Sequence, residues 1–145
     1  MDFMDAYPVQ IPLIVQWGEM DSFQHVNNIV YFRYFETARI AYFQRMGIIG
    51  NPEDHIGPIL GSTECKFIFP LSYPDNIMCT AQVTDIKVDR FYMEYRVFSL
   101  THERLAAKGT GVIVSYDYNS KKKVELPMAW QNTITSIEKM TMETH

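Results

Sequence analysis

In the stretch MDSFQHVNNIVYFRYFE, residues 20–36, a carboxylate (Asp21), an imidazole (His25) and two amides (Asn27, Asn28) stand just ahead of an aromatic run at helical spacing. The start of a helix offers unpaired backbone amides and the positive end of a dipole, and both favour negative charge on a ligand oxygen. Asn27 or Asn28 can satisfy one of those amides through its side chain. The others remain free to polarise a carbonyl. Asp21 stands six or seven positions ahead of the helix start, too far upstream to cap it. Its carboxylate is therefore available to attack a polarised carbonyl or to deprotonate a water beside it, which is the pairing that acyl transfer needs. The plainer alternative for Asp21 is a solvated loop residue.

His25 follows Asp21 by four residues, a spacing that suits either a carboxylate–imidazole pair or a hydrogen bond that ties the loop. Ser22 is close by but lacks the strand-turn-helix setting of a nucleophile elbow, so a hydrolase triad is not indicated. Glu36 and Arg39, three apart on the helix, can pair along one side, and Glu36 is the reserve candidate for a base. Tyr31 and Tyr34 read as core or interface residues whose hydroxyls reach a polar rim. The other histidines, His55, His102 and His145, are scattered, and Cys65 and Cys79 lie in no CxxC or Cys/His cluster. Neither a metal site nor a cofactor is expected, and the cysteines read as reduced, mostly buried thiols.

These residues need a scaffold. Residues 9–17, VQIPLIVQW, fit a strand near a sheet edge, where Pro12 is tolerated. Residues 27–47 predict a helix of about five turns that opens on Asn and stops at Gly47. Apolar and aromatic residues surround nearly its whole circumference, so it is expected to be wrapped on most sides. Four strand-like stretches follow, at 58–69, 76–89, 91–102 and 105–118, separated by turn signals such as YPDN and THER. In the second of them Ile77, Cys79, Ala81 and Val83 alternate with Met78, Thr80, Gln82 and Thr84, as a half-buried strand requires. Pro127 opens a short terminal helix. With one substantial helix for about five strands, one sheet face wraps the helix and the other is left for a second subunit to cover.

The 145 residues suit a single domain, expected over 7–140, and a chain of that size hides roughly 70% of its unfolded surface. The formal charge is −4, and the one concentrated basic element, Lys121–Lys123, reads as a solvated turn. A nucleic-acid partner is not expected. The acidic start MDFMDAYPVQ and the absence of any apolar run near 18 residues indicate neither a secretory signal nor a membrane span, and a cytoplasmic location is expected.

The block WGEMDSFQHVNNIVYFRYFETAR, residues 17–39, resembles the hotdog-fold acyl-CoA thioesterases, specifically the 4-hydroxybenzoyl-CoA thioesterase-like family. Trp17, Gly18, Asp21, His25, Val26, Asn27, Asn28, Tyr31, Tyr34, Phe35, Glu36, Ala38 and Arg39 carry the match. FIFPLSYPDNI and AAKGTGVIVSYDYNSKKKVELP extend it more loosely. The resemblance implies an α+β hotdog fold, an antiparallel sheet of about five strands wrapped around one long central helix, in protomers that assemble as a homodimer or homotetramer. It implies that Asp21 is the catalytic carboxylate acting on an acyl-CoA, that the Asn28 amide polarises the thioester carbonyl, and that His25 has at most a supporting role. Asn27, Tyr31 and Arg90 are the expected substrate-binding residues, with Arg90 or Lys121–Lys123 at the CoA phosphates. Glu19 replaces the usual Asp, and Gln24 stands where Gly is usual, so a differently shaped loop is expected. The competing readings are a hotdog enoyl-thioester hydratase or dehydratase and a non-catalytic acyl-binding protein.

Overall fold

The computed structural model describes residues 6–49 and 55–143, with side chains through residue 139. The chain runs β1 (Val9–Ile14), a 3-10 turn (Trp17–Glu19), α1 (Asn28–Met46), β2 (Ile56–Phe67), β3 (Asn76–Ile86), β4 (Arg90–Ser99), β5 (Arg104–Asp117), a two-residue β6 (Lys122–Lys123) and α2 (Met128–Glu143). All pairings are antiparallel, in the order β1-β3-β4-β5-β2, with β6 added to β5. The architecture is the expected α+β hotdog arrangement. Pro12 lies in β1, at one edge, and β2 forms the other. The lysine run completes a hairpin whose turn includes Lys121 in a left-handed conformation.

Helix α1 begins where Asn27 accepts the Ile29 N–H at 3.1 Å and ends at Gly47, whose φ of 77° is the left-handed stop that Gly permits. Its buried face, Tyr31, Tyr34, Phe35, Ala38, Arg39, Tyr42, Phe43 and Met46, follows the helical period and lies on the sheet. Phe35 stacks on Tyr95 with ring centroids 5.1 Å apart. The approach is so close that a Cβ at Gly109 would run into the Phe35 ring and one at Gly111 into Tyr95. The inward residues of β3 are the alternating set the sequence indicates: Ile77, Cys79, Ala81 and Val83 are buried.

Two expectations are corrected. Helix α1 is not wrapped on most sides within the chain: Ile29 is 72% exposed and Arg33, Glu36 and Ile40 also face outward. Aromatic residues around a helix do not all need core when their neighbours along the axis are charged. The terminal helix is not short either: α2 has 16 residues and buries Trp130, Ile134 and Ile137 in the same core as α1. The opposite sheet face carries Gln82, Glu94, Arg96 and Lys108, with Glu94 3.6 Å from Arg96 and 3.7 Å from Lys108. A face of that composition does not require apolar cover. Exposed apolar groups are spread over the surface and include Leu60 and Phe67 on the edge strand β2, where a bulge at Gly61 interrupts pairing with β5 between Leu60 and Ser62.

One buried polar contact joins the two helices to the sheet. Glu138 of α2 accepts the Tyr42 hydroxyl at 2.5 Å and the Val83 N–H at 3.2 Å. Burial raises Glu138 above the usual carboxylate range, with its hydrogen bonds opposing the rise. Between the ordinary and the raised pKa the unfolded chain releases a proton that the folded one retains, so stability falls as pH rises through that window. Glu138→Gln keeps an acceptor for both donors and is expected to match or exceed the parent in stability at neutral pH and to flatten this slope. Glu138→Ala orphans both donors and should cost about 1–3 kcal/mol. Urea unfolding of the three proteins across pH 4–8 checks both statements.

Neither cysteine is activated. Burial pushes the Cys65 thiol up to about 11 and, with Glu19 adding to it, that of Cys79 up to about 12. Iodoacetamide at pH 7.5 should leave both unmodified in the folded protein and label both in denaturant, as read by intact mass. Labelling of Cys65 in the folded state would contradict this.

Candidate active site

The site is built where the chain passes from β1 to α1. After the 3-10 turn the carboxylate of Glu19 accepts the Gln16 N–H at 2.7 Å and the Tyr34 hydroxyl at 2.9 Å, locking the turn to the helix. Met20 and Val26 then form an isolated bridge that closes a tight loop. Inside it Asp21 N–H donates to His25 O at 2.9 Å and Gln24 N–H to Asp21 O at 3.0 Å. Gln24 takes a φ of 62°, the positive value expected of a Gly at this position. Gln adopts the left-handed conformation that Gly would enter freely, at a cost of about 1 kcal/mol.

The loop is fastened to the segment after β2. Val26 N–H donates to Leu71 O at 2.7 Å, Ser72 Oγ donates to Gln24 O at 2.8 Å, and the Tyr31 hydroxyl accepts the Leu71 N–H at 3.1 Å. Loop, helix start and segment 67–70 thereby enclose a cavity of about 270 Å³. Asp21, His25, Asn28 and Tyr31 all line it, with Phe67 and Phe69 on the far wall.

Asp21 is exposed, and its Oδ1 accepts the Phe23 N–H at 2.9 Å, which orients the carboxylate. Among the described residues Oδ2 has no partner, and no acceptor takes the Asn28 N–H. A carboxylate oxygen and a helix-start amide are thus both uncommitted on one cavity. His25 lines the same cavity, but no hydrogen bond joins its ring to Asp21. Asn27 does not line it, because its side chain serves as the helix cap.

Arg90 does not join this group within one chain. It stands at the start of β4 and is forked onto Asp89 at 2.8 and 3.2 Å, where it holds that carboxyl below the usual carboxylate range. The cavity lies at the other end of the sheet, across from Val97 and Ala107, about 23 Å away at the usual strand rise. Lys121–Lys123 also belong to the far end, paired with Tyr116 and Asp117. Glu36 faces solvent, 3.8 Å from Arg39. Sequence reasoning named Glu19 only as a replacement and missed its bonds to Tyr34 and Gln16, and it missed Leu71, whose backbone leaves no side-chain signal.

A larger groove of about 960 Å³ runs between β1 and α1. Its carboxylate is Glu19, whose Oε1 accepts from both Tyr34 and Gln16, and neither Asp21 nor Asn28 lines it.

With this geometry established, comparison with known proteins places the chain in a class. A family model described as the thioesterase-like superfamily matches residues 15–134, and the chain belongs to that superfamily. It is similar to two chloroplastic acyl-acyl carrier protein thioesterases of Arabidopsis thaliana. One is 28% identical over 120 residues, covering 81% of this chain and 63% of the relative; the other is 32% identical over 113 residues, covering 75% and 60%. The chain thus spans under two thirds of the length of these relatives. It is also similar to a solved thioesterase from Thermus thermophilus in complex with coenzyme A and zinc, with 28% identity and a TM-score of 0.80 over 92% of this chain and 96% of that one. Among the described residues no group of three or more His, Cys, Asp or Glu is arranged to hold a metal ion, and no helix is long and apolar enough to cross a membrane.

The strained position at Gln24 gives a direct test of the loop. Gln24→Gly should be neutral to mildly stabilising, whereas Gln24→Val, β-branched at a positive φ, should cost on the order of 1–2 kcal/mol. Thermal unfolding of the two variants against the parent measures the difference.

Proposed function

We propose that the protein hydrolyses acyl thioesters, with Asp21 as nucleophile or general base and the Asn28 amide polarising the carbonyl. The observation that carries this reading is the shared cavity: an uncommitted Asp21 oxygen and an uncommitted Asn28 N–H open onto it, beside an aromatic wall suited to an acyl group. The carbonyl oxygen would sit at the helix start, where the dipole stabilises the charge that develops on it. Asp21 would then attack the carbonyl carbon, expelling the thiolate and leaving a mixed anhydride that water hydrolyses, or take a proton from an attacking water and pass it to the departing thiolate. His25 is positioned to support water or the leaving group.

The carrier we favour is CoA, in keeping with the CoA held by the Thermus relative. Acyl carrier protein is the alternative that the Arabidopsis relatives suggest. Phosphate contacts from the same chain's Arg90 are not part of this reading; antiparallel pairing of two β2 edges would bring a partner's far end toward the cavity. Leu60 and Phe67 at that edge, with Ile29 and Ile40 on α1, offer apolar surface for a second copy in a homodimer or homotetramer.

Free thiol release should be measured across short, long and aromatic acyl-CoAs and an acyl-acyl carrier protein. Asp21→Asn should fold normally and lower turnover by roughly 10²–10⁴-fold. Near-parent turnover in that variant would remove Asp21 from the chemistry. Hydration of enoyl-CoA in place of thiol release would favour the hydratase reading.

A further inference from the structure

The Tyr31 hydroxyl is committed on one side only. It accepts the Leu71 N–H at 3.1 Å, and among the described residues nothing accepts its own proton. The residue is 2% exposed, yet it lines the cavity together with Asp21 and Asn28. Side chains on a helix lean toward its N-terminus, so a phenol three residues into α1 reaches back over the turn that carries the Asn28 amide. The bond to Leu71 fixes the hydroxyl beside Pro70, on the cavity wall. The ring is held as well, edge-on to Phe67 at 5.2 Å and to Tyr34 at 5.9 Å.

From this geometry we infer that Tyr31 is a second catalytic hydrogen-bond donor, its O–H joining the Asn28 N–H on the substrate carbonyl oxygen. The inference rests on the thioesterase reading above. As Asp21 or its water adds to the carbonyl carbon, the C=O π pair moves onto oxygen, and that oxyanion accepts both hydrogen bonds. When the C=O re-forms, the C–S bond breaks, the electron pair leaves with sulfur, and both donors keep their protons. Burial raises the Tyr31 phenol above its usual range, so it donates a hydrogen bond without surrendering the proton. A preorganised donor in a dry wall is worth more than the same group in water, because it needs no reorientation as charge appears.

Tyr31→Phe should lower kcat by about 100-fold while KM changes by no more than about threefold. A purely structural role would instead show as a raised KM, since the loss would loosen Leu71 and with it the cavity wall. The direct readout is vibrational. In Asp21→Asn protein loaded with a ¹³C-carbonyl acyl-CoA, the carbonyl stretch should lie below its value in water and move to higher frequency when Tyr31→Phe is added. Site-specific 3-fluorotyrosine at position 31, which keeps the shape and strengthens the donor, should move it lower, and it supplies the test if Tyr31→Phe does not fold. A stretch indifferent to the group at position 31 overturns the inference. Full turnover by Asp21→Asn is a different failure, that of the underlying reading.

Discussion

Leu71 is held at both ends of its peptide groups, and the site depends on that grip. Its carbonyl receives Val26 N–H from the loop, and its N–H is received by Tyr31 from the helix. Those two bonds fix the Asp21 loop and the 67–70 wall in one frame against α1. Each bond is of ordinary strength, about 1 kcal/mol net, but both lie where an unmet backbone group would be shielded from water. Their value is therefore geometric: they set the width of the cavity between a carboxylate and a helix start.

Charge is managed around that frame by commitment. Glu19, two residues before Asp21, is occupied by a hydroxyl and an amide, and Arg90 is occupied by Asp89. Asp21 keeps Oδ2 to spare on the cavity that Asn28 also lines, while Glu19 is held through Oε1 in the neighbouring groove. The two carboxylates are of the same chemical kind, and it is their neighbours that set them apart.

The order of elements was legible because it rests on local signals: Asn before and Gly after α1, strict alternation in β3, and turn residues between strands. That Asp21 and Asn28 line one cavity agrees with their closeness in one short stretch. What escaped was settled by distant contacts. The outward face of α1 cannot be read from composition when aromatic residues occupy every side. The length of α2 depends on core contacts made by Trp130, Ile134 and Ile137 across the fold. That Gln24 itself takes the positive φ could not be read locally, because hydrogen bonds across the loop outweigh a preference of about 1 kcal/mol. Arg90 reads as available because its charge is visible in the sequence, whereas its fork onto the adjacent Asp89 is a matter of side-chain geometry.

The bulge at Gly61 bears on how chains of this protein can meet. An open edge strand is a template for indiscriminate addition, and β2 is long. The extra residue breaks its ladder into two offset platforms, Ile56–Leu60 and Ser62–Phe67, each with its own twist. A flat, foreign strand can seat on one platform only, while a strand carrying the same kink at the same place can follow both. The kink at one glycine thus limits which strands could extend the sheet at this edge.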